Sequence, residues 1–452
     1  MASTYLSRTQ TNGNRRKFTF SAWVKRSEIS NGDHVICSFT TSGNNIEIKF
    51  KGDDIFNFYN YYNGSSNVSF RTNRKFRDIS AWYHIVVAVD TEQSSPANRI
   101  KIYFNGVQET SFSTEVIPSQ NLDLDINTSG KTNSIGAFPT GHSYFNGCLS
   151  HIHFIDGTQY AASDFGSTDS TTGEWKINTS PSVTYGTNGF FILKDDNAVT
   201  DRSGEGNNFA LTAGTLTKTE DCPSNVFNTW NVLDSHYFWG AAESSWCTNG
   251  NTKARSGNSQ YSSCSATLGA SSGKYYWEIK ASAASNSEKY YQIGIKSKQD
   301  VNTSTGLGYN SGYYDYAYRG HDGSYVTNGA VTTYGDTYQV GDIVGVAMDL
   351  DNNKLYFSKN GTWQNSGVPT SGSTGTGAIS ITDPDSTPFG FYLPAWSWQD
   401  GSSYGTIEAN FGNGKFGTTA VSSAGTNASG NGIFEYDTPT GYTALSTKGL
   451  NL

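Results

Sequence analysis

Histidine, carboxylate and aromatic side chains recur in this chain at spacings that would support different chemistries. His151 and His153 stand two apart in an apolar stretch, which on a strand turns both imidazoles to one face. Two imidazoles can hold a metal ion, but no third ligand is evident and Leu149 and Ile155 share the face, so packing is the expected role. Asp123 and Asp125 alternate in the same way, with no glutamate to complete an acid–base pair. Asp201, Ser203, Asn207 and Asn208 cluster around Gly204 and Gly206. Oxygen donors on a glycine-rich turn suit calcium, which takes roughly six to eight such ligands, and Asp201 and Asn207 would be the ligands here. The other reading is a polar turn in which Asp and Asn bond to backbone.

The densest candidates are aromatic. Tyr313, Tyr314, Tyr316 and Tyr318 lie among Gly312, Asp315, Arg319, Gly320 and His321. Trp396, Trp398 and Tyr404 lie among Ser397, Gln399, Asp400 and Gly401. Phe56, Phe58, Tyr59, Tyr61 and Tyr62 alternate with Asn57, Asn60 and Asn63 ahead of Gly64. Tyr and Trp offer rigid contact area at low entropy cost, while Ser, Gly and Asn adapt around them. Such loops are expected to form a contact surface for sugar rings or protein, lined by Tyr313, Tyr314, Tyr316, Tyr318, Trp396, Trp398 and Tyr404. The competing reading packs these rings on one another or on a neighbouring subunit.

Elements able to hold such loops are strands. Phe18, Phe20, Ala22 and Val24 alternate, as do Ile46, Ile48 and Phe50, and Ile100, Ile102 and Phe104. Period-two alternation marks antiparallel sheets with one buried face. Asn-Gly pairs at 105–106, 146–147, 328–329 and 360–361 suit hairpin turns. No amphipathic helix longer than about two turns stands out. Of 452 residues, 49 are Gly, 14% are aromatic and only 15% are charged, a chain able to build cores. The net charge of −8 argues against a nucleic-acid partner. Cys37, Cys148, Cys222, Cys247 and Cys264 are odd in number and show no C-x-x-C spacing, so reduced thiols are expected, with Cys247 and Cys264 the one pair to check for a bridge. No apolar run of 18 residues exists, and no signal-peptide pattern opens the chain, so membrane insertion is not expected and synthesis in a cytoplasm is.

Organisation follows from where alternation is strong. Residues 1–157 read as a first sandwich, 158–235 as a connector packed on its neighbours, 236–412 as a second sandwich whose strands begin near Phe238, and 413–452 as a Gly/Ser-rich tail, flexible or irregular. The expected fold class is all-β, two antiparallel β-sandwich jelly rolls in tandem.

The first half resembles laminin-G-like, concanavalin A-like jelly rolls. The resemblance is carried by Phe18-Thr19-Phe20-Ser21-Ala22-Trp23-Val24, Trp82-Tyr83-His84-Ile85-Val86, Lys101-Ile102-Tyr103-Phe104-Asn105-Gly106 and Phe145-Asn146-Gly147-Cys148-Leu149, in the family's order. The second half resembles a SPRY domain in Gly273-Lys274-Tyr275-Tyr276-Trp277-Glu278-Ile279, Gly341-Asp342-Ile343-Val344-Gly345-Val346 and Leu355-Tyr356-Phe357-Ser358-Lys359-Asn360-Gly361. The pairing, with Thr172-Gly173-Glu174-Trp175-Lys176, Tyr185-Gly186-Thr187-Asn188-Gly189-Phe190-Phe191, Asp201-Arg202-Ser203-Gly204 and Pro439-Thr440-Gly441-Tyr442, looks like bacteriophage virion proteins of tail or head fibres.

The resemblance implies a non-enzymatic particle-surface protein whose loops bind host-surface glycan or protein. It implies other virion proteins as partners and the virion as its place. A capsid decoration or fibre-assembly component is the alternative. Fibre and spike proteins are often trimers, so a homo-oligomer is expected, although no coiled-coil stem is present. Concanavalin A-like folds also host glycan hydrolases, and a polysaccharide depolymerase would carry E-x-D-x-x-E. The nearest stretch, Glu435-Tyr436-Asp437-Thr438-Pro439-Thr440, lacks the second Glu. No cofactor other than calcium is implied.

Overall fold

The computed structural model describes residues 3–41, 43–62, 64–194, 198–236, 246–257, 261–285, 287, 289–298 and 306–451. Asn63 and Phe238 lie outside the described residues. The chain divides into two units, Met1–Lys218 and Thr219–Leu452. Among the described residues no helix is long and apolar enough to cross a membrane.

Alternation builds the first sandwich. An eight-stranded sheet runs in the order Phe112–Val116, Ser65–Lys75, Ile55–Tyr62, Asn44–Phe50, His34–Thr41, Thr132–Ile135, Tyr5–Thr9, Ala210–Ala213. A six-stranded sheet runs Phe190–Ile192, Gly147–Asp156, Lys17–Arg26, Tyr83–Asp90, Ile100–Phe104, Val107–Gln108. Phe18, Phe20, Ala22 and Val24 meet Ile46, Ile48, Phe56 and Phe58 in one buried core. The opposite face of the six-stranded sheet, with Ser21, Trp23 and His84, is buried as well. Phe165, Tyr185 and Phe191, with half-buried Tyr160 and Trp175, lie over Val86, Ala88 and Ile155.

The stretch expected as a connector, 158–235, therefore divides. Residues up to 213 cover one sheet and add an edge strand to each sheet, while Trp230–His236 opens the second unit's sheet. The rings that cover the sheet are spaced irregularly because they come from loops and from the three-residue strands Trp175–Ile177 and Phe190–Ile192, too short to leave a period to read.

The second sandwich pairs a seven-stranded sheet, Trp230–His236, Ser262–Ala266, Leu393–Trp398, Tyr291–Lys296, Tyr316–Arg319, Ser324–Thr327, Ala330–Thr333, with a larger one. The latter centres on Lys253–Arg255, Gly405–Asn410, Lys274–Ala284, Ile343–Asp349 and Lys354–Lys359. Trp277, Val346 and Phe357 are paired neighbours with fully buried side chains, as are Tyr276, Ala347 and Tyr356 one residue along.

The C-terminal stretch covers that second row. Phe434, Tyr442 and Ala444 pack on Tyr276, Ala347 and Tyr356, and Thr443–Ala444 pairs in parallel with Tyr275 and Tyr276. The stretch expected as a flexible or irregular tail is largely irregular in backbone, and its later part packs as a layer. Its glycines serve close approach: a Cβ on Gly425 would meet the Tyr436 backbone at 2.2 Å, and Gly432, at φ 88°, would bring one to 3.0 Å from the Gly412 Cα.

Candidate functional site

The aromatic residues expected to line one contact surface separate into two groups. Tyr316 and Tyr318 belong to the strand Tyr316–Arg319, and Trp396 and Trp398 to the strand Leu393–Trp398. Their i, i+2 spacing turns them inward, and Tyr318, Trp396 and Trp398 are fully buried. Tyr318 packs on Phe357 of the opposite sheet at 5.4 Å, and the Trp398 Nε1–H donates to the Ser403 carbonyl at 3.0 Å. These four are core residues, and the Ser, Asp and Gly around them gave a strand the look of a loop. Tyr313, Tyr314 and Tyr404 remain half-exposed. Lys298 Nζ lies 4.1 Å from the Tyr313 ring and the Arg255 guanidinium 3.8 Å from Tyr404.

In the first unit the same alternation works outward. Phe56 and Phe58 are in the core, while Tyr59 and Tyr61 stand half-exposed on the other face of the eight-stranded sheet, ring centroids 6.1 Å apart and 18° from parallel. Register brings Glu47 and Ser69 beside Tyr59, and Lys49 and Arg71 beside Asn57. Glu47 and Lys49 form an ion pair at 2.6 Å. Burial, and then Glu47, raise the Tyr59 phenol above its ordinary pKa, so it stays a hydroxyl donor. Asn57 is 3% exposed and its Oδ1 has no hydrogen-bond partner among the described residues. The face thus offers two near-parallel rings, a phenol donor and an ion pair, while the Asn57 amide oxygen lies beneath it, out of reach of solvent.

The groups that could do acid–base or metal chemistry are engaged elsewhere. Ser21 Oγ lies 2.9 Å from His84 Nε2, a nucleophile-to-base distance that sequence reading missed because 63 residues separate the two. The Trp175 indole N–H donates to His84 Nδ1 at 2.9 Å. Nδ1 is therefore an acceptor, which assigns the proton to Nε2 and makes Ser21 its acceptor. Burial lowers the His84 pKa to about 3. An imidazole in this tautomer and state cannot take the serine proton.

His153 is buried, stacked 3.9 Å from Phe191, with Nδ1 2.9 Å from the Tyr185 hydroxyl. A bulge between Ser150 and His153, with His151 at φ 47°, breaks the alternation expected there. Asp123 and Asp125 lie outside strands, the first against Arg16 at 2.7 Å and the second paired with Lys131. Glu435 accepts from Ser422 and Asp437 from Thr426.

Asp201 and Asn207 do not fit calcium. Asp201 Oδ1 accepts from the Phe191 and Ser203 N–H groups, and Oδ2 from the Ser203 hydroxyl and Asn207 N–H. Asn207 Oδ1 takes the Arg8 guanidinium at 2.5 Å, and its Nδ2 donates to the Thr187 and Gly189 carbonyls. Arg8 supplies the positive charge at this turn. No group of three or more His, Cys, Asp or Glu suited to a metal occurs among the described residues. All five cysteines are free thiols.

Glu278 resembles a catalytic acid in one respect: burial pushes its pKa up to about 7. It has no exposed surface, and it accepts from the N–H groups of Glu435 at 2.9 Å and Tyr436 at 2.8 Å, from Asn410 Nδ2 and from the Tyr276 hydroxyl. Its carboxylate anchors the C-terminal layer.

Two antiparallel β-sandwiches in series, each with a further layer packed on one of its sheets, define a class of tandem β-sandwich protein. Within that class the units have separate family matches. Residues 2–163 match the family model described as concanavalin A-like lectin/glucanases superfamily, and residues 274–379 match the SPRY domain. The chain carries a concanavalin A-like domain followed by a SPRY domain.

Ran-binding protein 9 of Danio rerio is 36% identical over 93 residues, 20% of this chain and 15% of that protein. The same protein of Homo sapiens is 36% identical over 93 residues, 20% of this chain and 12% of its own length. The chain thus spans no more than about 15% of these curated relatives. Among solved structures, the SPRY domain of human HERC1 is similar at 12% identity and TM-score 0.30, over 40% of this chain and 96% of that one. A putative carbohydrate binding protein from Bacteroides ovatus is similar at 15% identity and TM-score 0.31, over 47% of this chain and 56% of that one.

Proposed function

We propose that the chain is a non-enzymatic structural protein of a bacteriophage particle surface that binds host-surface glycan through its concanavalin A-like domain. The observation that carries the glycan part is the Tyr59–Tyr61 face. It combines near-parallel half-exposed rings with Glu47, Lys49 and Arg71 on the neighbouring strands. Flat apolar faces beside fixed polar groups are what a pyranose ring, apolar above and hydroxylated at its rim, can use. The virion part rests on the resemblance of residues 172–176, 185–191, 201–209 and 439–445 to phage fibre proteins. A non-catalytic reading is supported by the occupied state of every acid–base pair described above.

The test is Tyr59→Ala with Tyr61→Ala. Purified particles carrying the double variant should adsorb to host cells at least tenfold more weakly, equivalent to about 1.4 kcal/mol. The isolated variant chain should bind a host-glycan array correspondingly less. Unchanged adsorption by intact particles would remove this face from the proposal, and absence of the chain from purified particles would remove the virion assignment.

A further inference from the structure

The SPRY unit holds a cleft of about 350 Å³ at one edge of its seven-stranded sheet, lined by Asn231, Asp234, Ser265, Thr267, Phe391 and Leu393 among others. Sites for small ligands run from roughly 300 to 1,000 Å³, so the cleft suits a ligand at the small end of that range. Its polar groups come from adjacent strands. Asp234 is on Trp230–His236 and Ser265 on Ser262–Ala266, and Leu393 opens the next strand along.

Asp234 uses one oxygen for the protein. Its Oδ2 lies 2.9 Å from Lys296 Nζ and accepts from the Ser265 hydroxyl. The Lys296 side chain is 1% exposed and that of Asp234 18%, so the ion pair is sealed on the lysine side and reaches solvent only on the carboxylate side. Asp234 Oδ1 has no partner among the described residues. Asn231 Oδ1 accepts from the Leu233 N–H at 3.0 Å, and its Nδ2 has none among them either. Acceptor and donor are thus both unused on one strand, three residues apart. Phe391, 37% exposed, stacks on Phe389 with centroids 5.3 Å apart and planes within 20°, which presents an apolar ring at the cleft.

Charge decides the ligand class. Lys296 already neutralises Asp234, so a cationic side chain would gain little there and would compete with a buried lysine that cannot leave. An anion would face the carboxylate. A neutral ligand with one apolar face and several hydroxyls satisfies the ring, the acceptor and the donor together. We infer that this cleft is a second binding site of the chain, for a neutral pyranose unit, with its apolar face on Phe391 and hydroxyls on Asp234 Oδ1 and Asn231 Nδ2. The site belongs to the other unit from the Tyr59–Tyr61 face and does not depend on it.

The experiment uses the full chain carrying Tyr59→Ala and Tyr61→Ala, so that a signal cannot come from the first unit. Methyl glucopyranoside, mannopyranoside and galactopyranoside and N-acetylglucosamine are each probed by saturation-transfer NMR. At least one should show transfer, and adding Phe391→Ala or Asn231→Ala should weaken it tenfold or more. Both residues are solvent-accessible, so either variant serves if the other fails to fold, as judged by circular dichroism. No transfer from any of the four sugars would overturn the inference. So would undiminished transfer in both variants, or transfer from N-acetyl-phenylalanine amide or N-acetyl-arginine amide with none from the sugars, which would make the cleft a peptide site.

Discussion

A tryptophan on a strand and a tryptophan in a loop differ in what their loss costs, and this chain separates the cases. Trp396 and Trp398 are fully buried between the sheets of the second unit, with Trp398 edge-on to Tyr291 at 4.8 Å. Replacing either with Ala removes a large apolar volume that the surrounding strands cannot close over, at a cost of about 3–5 kcal/mol. Urea unfolding of Trp398→Ala should show this as a large fall in midpoint, and any loss of adhesion would follow from loss of the fold. Tyr313→Ala and Tyr314→Ala change half-exposed rings and should move the same midpoint by no more than about 0.5 kcal/mol. Equal costs for both kinds of variant would contradict the assignment of Trp398 to the core. Which aromatic belonged to which group was legible only in part. Tyr314, Tyr316 and Tyr318 share one spacing, and nothing in composition marks the residue at which a loop becomes a strand.

At the scale of elements, strands with strict alternation were readable, and layers made of loops and two- or three-residue strands were not. Phe18 to Val24 and Ile46 to Phe50 carry their burial in their period. The cover formed by Phe165, Trp175 and Tyr185, and the one formed by Phe434, Tyr442 and Ala444, have no period and looked like connector and tail. The Ser21–His84 contact was invisible for a related reason, since pairing across strands depends on register. The C-terminal layer has a distinct point of attachment in Glu278, whose four donors include two backbone N–H groups of that layer. Glu278→Ala strands those donors and Asn410, each buried group left unsatisfied costing about 1–3 kcal/mol. Hydrogen exchange should then show the Glu435 and Tyr436 amides losing at least a hundredfold of protection, with the strand Ile343–Asp349 losing much less. Equal loss in both places would mean that the layer and the sheet unfold as one body.

Across the whole chain the buried titratable groups give the two units opposite responses to acid. In the first unit His84 is held neutral with its pKa near 3, and burial lowers His153 well below its ordinary value. Once unfolded, both histidines bind protons below about pH 6.5 that the folded unit refuses, so folding stability is lost as pH falls through that window. Between pH 7 and pH 5 His84 contributes a loss of about 2 kcal/mol, and His153 adds to it in the same direction. In the second unit Glu278 behaves oppositely. Its folded pKa of about 7 lies above the unfolded value near 4.5, so the folded unit binds the proton first and gains stability as pH falls from 7 towards 4.5. Pulse proteolysis of the full chain across a urea series, with peptides assigned to each unit by mass spectrometry, reads both midpoints at once. From pH 7 to pH 5 the midpoint of residues 1–218 should fall while that of residues 219–452 holds or rises. His84→Gln keeps an amide acceptor for the Trp175 N–H and a donor for Ser21 but cannot titrate, so it should reduce the first unit's acid sensitivity by about 2 kcal/mol between pH 7 and pH 5. A parallel fall in both units, or full acid sensitivity in His84→Gln, would show that other groups set the pH response.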